Sequence, residues 1–393
     1  MRIVYFLPDI DAGVAQIVRA LLKYKAQNND QYVVVLFSSE DYKSNHSISD
    51  FEGANEIIRF SYSVRENLYA VYKRLANVLH TEQDIIVSND GWEIRMVAAL
   101  KLKNPVAYIV HGDFDYYYLI TKLNESIIDL FIAYSDKVYE ELKEKKLLPE
   151  NHYKVQKIYY PSAVLDGRSL ATNRKSSSFK ILFAGTLDRR KGAHLLKGIY
   201  DKLVTQIDSF QMCIIGDGDL KDEVASQFSG CANVFLKGWQ PNEYVIQEMS
   251  SSNVFLFPSF SEGLPNVLIE ALFSGAVPVS SKLESGVQDI IEDKVNGVLV
   301  ETGNVKGYGD AIVNLYNDKS LLDRLRQRGK TGLIEKFEPH QQASLYDKAI
   351  KQLALKEVTK DYPKYSIGGW LNKPWLPNFF VKTVRSVIKH QKL

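Results

Sequence analysis

Cysteine is almost absent: the 393-residue chain has two, Cys213 and Cys231. Neither has a His or a second Cys at ligand spacing. This excludes a disulfide framework and a cysteine-based zinc site, and fits a reducing cytoplasm. No apolar run approaches the roughly 18–20 residues that cross a bilayer. The opening MRIVYFLPDID meets acid by Asp9, too early for the apolar stretch of a signal peptide, so secretion is not expected. A strong charge of one sign is missing as well, since the net charge is +2. Residues 351–393 nevertheless hold nine Lys or Arg and two acids, which leaves the rest of the chain at a net −5. A body of that sign offers no phosphate-tracking surface, so nucleic acid is not an expected partner. No repeat of 20–50 residues occurs.

What is present is ordinary globular composition, 45% apolar and 24% charged, at a length that suggests two domains. Short apolar runs alternate with helical patterns. Arg2–Leu7, Tyr32–Phe37, Ile85–Ser88, Val106–Val110 and Leu130–Ala133 read as strands. Val14–Lys25 and Asp136–Lys146 read as helices. Val64, Leu68, Val71, Leu75 and Val78 recur at steps of four and three, which is helical spacing. Fully apolar strands between helices imply a parallel sheet covered on both faces. Asp166–Ser178 is polar and without period, and reads as a linker. The rhythm then restarts with strands at Lys180–Ala184, Gln211–Gly216, Val234–Leu236, Val254–Phe257, Val277–Ser280 and Gly297–Val300. The expected organisation is α/β, with two Rossmann-like doubly wound domains at 1–165 and 179–345, a linker at 166–178 and a tail at 346–393. Ligands are expected at the carboxyl ends of the strands and in a cleft faced by the two domains.

The most informative segment is Glu262-Gly-Leu-Pro-Asn-Val-Leu-Ile-Glu270, after the strand Val254–Phe257. Gly263 allows close backbone approach. Pro265 suits the first turn of a helix, where its missing N–H would be unpaired anyway. The remaining first-turn N–H groups form an anion site. A carboxylate at the mouth and another a little over two turns along can bind two separated sets of hydroxyls. A diphosphate between two sugars has that layout.

The surrounding PSFSEGLPNVLIEALFSGAVPVSS strongly resembles the nucleotide-sugar site of retaining glycosyltransferases of GT-B fold, family 4. Pro258, Ser259, Glu262, Gly263, Pro265, Glu270, Ala271, Gly275, Pro278 and Val279 all match. The resemblance implies that Glu262 faces the donor sugar and that Glu270 holds the ribose hydroxyls. It also implies that the backbone of Leu264, Pro265, Asn266, Val267 and Leu268 meets sugar or phosphates. A second segment, Phe183-Ala-Gly-Thr-Leu-Asp-Arg-Arg-Lys-Gly192, is similar to the family's diphosphate loop. Lys191 matches, but Thr186 stands where an Arg is usual, and a hydroxyl is no substitute for a planar fork. Arg189 or Arg190 can supply that charge. Gly216-Asp217-Gly218 resembles the turn lining the nucleotide pocket, and Gly238-Trp239 the segment beside the base. In the first domain, Gly13 corresponds to a family glycine that lets backbone N–H groups approach phosphate or acceptor. His111, at the end of a strand, corresponds to a His near the transferred sugar.

D-x-D occurs at Asp9/Asp11, Asp113/Asp115 and Asp217/Asp219 and carries no information at that frequency. GT-B enzymes neutralise diphosphate with cations and helix ends, so no metal and no cofactor are expected. Tyr116, Tyr117 and Tyr118 can stack on an acceptor sugar or pack in the core. Asn378–His390, with Val381, Val384 and Ile388 at steps of three and four, reads as a basic amphipathic helix beside Trp370, Trp375, Phe379 and Phe380. Such a helix can lie on an anionic membrane, or cross back to pack on the first domain as in GT-B enzymes.

The expected activity is transfer of a sugar from a UDP-, GDP- or ADP-type donor to a saccharide or glycolipid hydroxyl, with retention. The expected setting is surface polysaccharide or lipopolysaccharide assembly, in the cytoplasm or at the inner face of the membrane. The competing readings are a non-catalytic nucleotide-sugar-binding subunit and another GT-B enzyme such as a sugar-nucleotide epimerase.

Overall fold

The computed structural model describes residues 1–10, 13–40, 50–144, 147–148, 152–162, 178–355, 359–363 and 369–390. The expected linker therefore lies, apart from Ser178, outside the described residues. Two compact units form. One comprises Met1–Pro161 with Pro339–Leu393, the other Ser162–Glu338.

The first unit runs β1 (Arg2–Pro8), α1 (Gly13–Tyr24), β2 (Gln31–Ser39), β3 (Glu56–Tyr62), α2 (Leu68–Ala76), β4 (Ile85–Ser88), α3 (Ile94–Leu100), β5 (Val106–Val110), α4 (Asp115–Asn124), β6 (Leu130–Ala133), α5 (Asp136–Glu144) and β7 (Val155–Lys157). Its seven strands lie in the order β3-β2-β1-β4-β5-β6-β7. All pairs are parallel. The inner strands are apolar along their whole length and fully buried, which needs helices on both faces. β3 is a mostly exposed edge strand. Ile58, Phe60 and Tyr62 alternate with the exposed Arg59 and Ser61, a period of two that is not among the expected strands.

The second unit runs β8 (Phe179–Ala184), α6 (Leu196–Val204), β9 (Phe210–Ile215), α7 (Lys221–Gln227), β10 (Val234–Gly238), α8 (Asn242–Ser251), β11 (Val254–Phe257), α9 (Asn266–Ser274), β12 (Val277–Ser281), α10 (Val287–Ile290), β13 (Val298–Val300), α11 (Val305–Asn317) and α12 (Lys319–Phe337). Its six strands are also parallel, in the order β10-β9-β8-β11-β12-β13. Ile181, Met212, Val254 and Val277 from four adjacent strands share one core. In this sheet β8 pairs with β9 on one side and with β11 on the other. The strand order reverses there, so the loops after β8 and β11 diverge and leave a ligand crevice.

The chain then returns to the first unit. α13 (Pro339–Lys351) buries Ala343 against Ala20 and Tyr24 of α1. The division therefore falls at 338/339, ahead of the expected 345/346, because α13 finds its apolar partner on α1. A polar lock reinforces it. Tyr32 donates to Asp347 Oδ1 at 2.6 Å, and Lys351 bridges Asp347 at 2.6 Å and Asp30 at 2.7 Å. α14 (Asn378–His390) also packs on this unit, through Asn67, whose backbone N–H donates to Asn378 Oδ1 at 2.8 Å. Among the described residues no helix is long and apolar enough to cross a membrane.

Candidate active site

The loop after β8 bends back on itself because Asp188 Oδ1 accepts from the Lys191 backbone N–H at 2.6 Å. Gly192 then takes φ +75°, and a Cβ there would lie 2.1 Å from the Pro258 carbonyl oxygen. Only a glycine lets this loop rest on the end of β11. A second tie runs from the Phe260 N–H to the Arg190 carbonyl at 2.7 Å. These contacts bring together two residues far apart in sequence. Lys191 Nζ donates to Glu262 Oε1 at 2.6 Å, with side chains 17% and 8% exposed. Arg190 Nη1 lies 3.7 Å from the same oxygen and donates to the Ser261 carbonyl at 3.3 Å. Arg190, rather than Arg189, thus brings the second cation to Glu262, while Thr186 is exposed at the start of the loop. Two cations on one carboxylate leave a surplus positive charge.

Helix α9 begins beside this pair. Pro265 is its N-cap, at φ −77° and ψ 99°, so it precedes the first helical residue instead of occupying it. The Leu268 N–H is already used by the Pro265 carbonyl at 2.9 Å. Two buried polar atoms in the segment, Ser259 Oγ and Asn266 Oδ1, have no hydrogen-bond partner. Buried orphan polar groups are uncommon and call for a ligand or water. Gly263 presents its carbonyl to Gly286, where a Cβ would come within 2.7 Å. Glu270 lies along α9, half-buried. Its carboxylate accepts from Asn242 Nδ2 at 3.2 Å. Burial pushes its pKa up to about 7, so this carboxyl holds a proton near neutrality until a stronger donor arrives.

The Gly-rich turn after β9 supports the β8 loop directly. A Cβ on Gly216 (φ +148°) would sit 1.9 Å from the Gly185 carbonyl oxygen, and one on Gly218 (φ +155°) 2.7 Å from that of Leu187. Leu187 N–H donates to the Asp217 carbonyl at 2.9 Å, and Gly216 N–H to that of Gly238 at 2.8 Å. The glycines are required for this loop-on-loop packing. Asp217 pairs outward with Lys221 at 2.7 Å. Trp239 is 72% exposed at the end of the edge strand, an open stacking surface and not a core residue.

In the first unit, His111 follows β5. Asn89 Nδ2 donates to the Phe6 carbonyl at 2.9 Å, so Asn89 Oδ1 faces His111 Nε2, also at 2.9 Å. An amide oxygen only accepts, which assigns the proton to Nε2. Nδ1 then accepts from the Tyr160 hydroxyl at 2.8 Å. Burial holds the imidazole pKa down to about 3, so His111 is neutral and both nitrogens are engaged. Gly13 opens α1 with nothing within 4 Å of a Cβ; Asp11 and Ala12 lie outside the described residues. Tyr116 donates to the Asp90 carbonyl at 2.9 Å and Tyr118 to Asp113 at 2.5 Å. One residue escaped the sequence reading: Glu93 is fully buried, and neither carboxylate oxygen has a hydrogen-bond partner. Burial pushes its pKa to about 8, which makes it a neutral acid. A single Glu at a helix start gives no signal of this. Among the described residues no three His, Cys, Asp or Glu are grouped to hold a metal ion.

Residues 170–332 match the family model for glycosyl transferases group 1. The chain is 29% identical over 160 residues to a lipopolysaccharide core biosynthesis glycosyltransferase, LpsE, of Rhizobium meliloti, covering 40% of this chain and 45% of that protein. It therefore spans less than half of that relative. It is 25% identical over 289 residues to the capsular polysaccharide biosynthesis glycosyltransferase CapM of Staphylococcus aureus, covering 66% and 74%. In fold it is similar to Anabaena HepE, solved with UDP, with a TM-score of 0.72 at 16% identity over 90% of this chain and all of that one. The matched segment is less than half of the chain and lies almost wholly in its second unit, which is thus similar to glycosyl transferases group 1, and the fold is that of GT-B.

Proposed function

We propose that the protein is a retaining glycosyltransferase that moves a sugar from a nucleotide-diphosphate donor to an acceptor hydroxyl. The observation that carries this is the Lys191–Glu262 contact at 2.6 Å. It stands at the strand-order reversal, beside the unpartnered Ser259 and Asn266 atoms. Lys191, Arg190 and the N-terminus of α9 supply the positive field that a departing diphosphate needs. Glu262 orients the sugar hydroxyls, and Glu270 the ribose. Gly216–Gly218, Gly238 and Trp239 form the base side. His111, neutral and held from both nitrogens, serves by shape and hydrogen bonding, not as an acid or base. Uridine is the favoured base, since HepE is solved with UDP and UDP-glucose. The relatives in lipopolysaccharide and capsule synthesis point to a surface-glycan acceptor on the cytoplasmic side.

In the reaction the bond from the anomeric carbon to the diphosphate oxygen breaks. The acceptor oxygen bonds that carbon from the same face, and the acceptor proton passes to the leaving phosphate. No metal is required, because the protein's own cations meet the charge. The test is release of nucleotide from a panel of UDP-, GDP- and ADP-sugars, with and without EDTA. Donor-selective turnover that survives EDTA supports the reading. Nucleotide-dependent rises in melting temperature without turnover for any acceptor would instead favour a binding subunit, the alternative that Thr186 motivates.

Glu270 adds a pH dependence. Its free-state pKa of about 7 is raised by burial, and ribose hydroxyls donating to the carboxylate favour the ionised form. Nucleotide binding therefore expels a proton below pH 7 and tightens as pH rises. Affinity should grow by about tenfold between pH 6 and 8 and level off above, as expected for one linked proton. Calorimetry across that range checks it. Glu270→Gln should flatten the profile, and a slope that survives in that variant would place the linkage elsewhere.

A further inference from the structure

Residues 362–393 contain six Lys or Arg and no Asp or Glu. Four bulky aromatics, Trp370, Trp375, Phe379 and Phe380, lie among them. The structure decides which way these side chains point. The polar residues face inward. Asn67 Nδ2 donates to the carbonyls of Lys373 and Leu376, both at 2.8 Å, and Asn378 Nδ2 donates to Glu66 Oε2 at 2.8 Å. Arg385 turns inward too, donating to the Val64 carbonyl at 3.0 Å and to Asn372 Oδ1 at 2.9 Å. Val381 fills the apolar part of the seam and is fully buried. The aromatics are left outside: Trp375 is 74% exposed, Phe379 75% and Trp370 67%, with Phe380 also in the open.

This is the reverse of an ordinary surface helix, which hides its apolar stripe and shows its polar face. A patch of this kind marks an interaction surface. Its chemistry selects the partner. Trp and Phe among cations, on a segment that itself carries no acid, match the interface of an anionic bilayer, where rings sit at headgroup depth and Lys meets lipid phosphate. Lys382 lies on this face half-exposed, with a long 3.9 Å ion pair to the buried Glu66 that leaves much of its ammonium in solvent. A second copy is a poor occupant, because a two-fold contact would set one cationic tail against another.

We infer that the face formed by Trp370, Trp375, Phe379, Phe380 and Lys382 docks on an anionic membrane surface, with Asn67, Glu66 and Arg385 fixing the tail to the first unit. The inference does not depend on the transferase reading. The test is co-sedimentation of the full chain with vesicles of phosphatidylcholine alone, or of phosphatidylcholine with equal phosphatidylglycerol. Partition into the anionic vesicles should be at least about tenfold stronger and should weaken with salt. Replacing the four aromatics by Ser should remove most of it at unchanged melting temperature, since their side chains are exposed. Should that variant fold poorly, Trp375→Ser alone should still lower partition severalfold. Equal partition of wild type and variants would overturn the inference, as would equal binding to both vesicle types. So would a wild-type dimer in sedimentation equilibrium that the substitutions dissolve, because the face would then be covered by a second copy.

Discussion

Replacing Glu262 by Gln should lower kcat by about a thousandfold, roughly 4 kcal/mol of transition-state stabilisation. The side chain is 8% exposed and bound to Lys191 at 2.6 Å, so the pair acts as a unit. Gln keeps the shape and removes the charge. Lys191 then loses its partner in the free protein and, in the proposed reaction, the donor sugar loses its orienting carboxylate. Losing one member of a buried pair costs about 3–5 kcal/mol when nothing replaces it. Here the cost to folding should be smaller, because Lys191 retains partial solvent and a cation–π contact with Phe257, its Nζ 5.6 Å from the ring centroid. Lys191→Met should lose a similar factor. The double variant should be little worse than either single one, the signature of coupled residues. Steady-state kinetics with a melting curve for each protein distinguish a lost site from a lost fold. A Glu262→Gln enzyme within about threefold of wild type would remove Glu262 from the proposed chemistry.

Gly192→Ala should be among the most damaging small substitutions in the second unit. The added Cβ would lie 2.1 Å from the Pro258 carbonyl oxygen, on a backbone at φ +75°. The left-handed conformation alone costs about 1 kcal/mol. The backbone clash cannot be relieved by a side-chain rotation, so the loop must leave the end of β11. A total near 3 kcal/mol is expected, or roughly a 6–12 °C fall in the melting temperature of this unit. Turnover should fall with it even below the melting range, since Lys191 is the preceding residue and would be drawn away from Glu262. Gly13→Ala is the control for stability: with open space at its Cβ and a place at the start of α1, it should move the melting temperature by little. A Gly192→Ala protein as stable as wild type would mean that the two loops are not in register as described.

Much of this was legible before any coordinates. The strands β4, β5, β6 and β11 coincide with their apolar runs because a strand buried on both faces has no room for polar residues. The α9 segment and its two glutamates were readable because a Gly, a Pro and two carboxylates at set spacing each answer a local physical need. α14 spans the residues expected from its three- and four-residue steps. Other elements stand outside that reading. β7 has three residues, too few for a period, whereas the edge strand β3 does alternate at Ile58, Phe60 and Tyr62 and is absent from the expected strands.

Local chemistry, then, determined by itself the βα rhythm and the strand-end segments, and motif resemblance pointed to the residues worth suspecting. Pairings across long stretches of chain were decided only by tertiary structure. That Arg190 rather than Arg189 reaches Glu262 follows from how the β8 loop lies on Pro258. That His111 is neutral and doubly bonded follows from Asn89 and Tyr160 arriving on two other segments. That Glu93 is buried without partners, and that the tail turns its aromatics outward, depends on which faces the packing leaves covered. Periodicity records which residues share a face. Only the packed chain settles what that face meets.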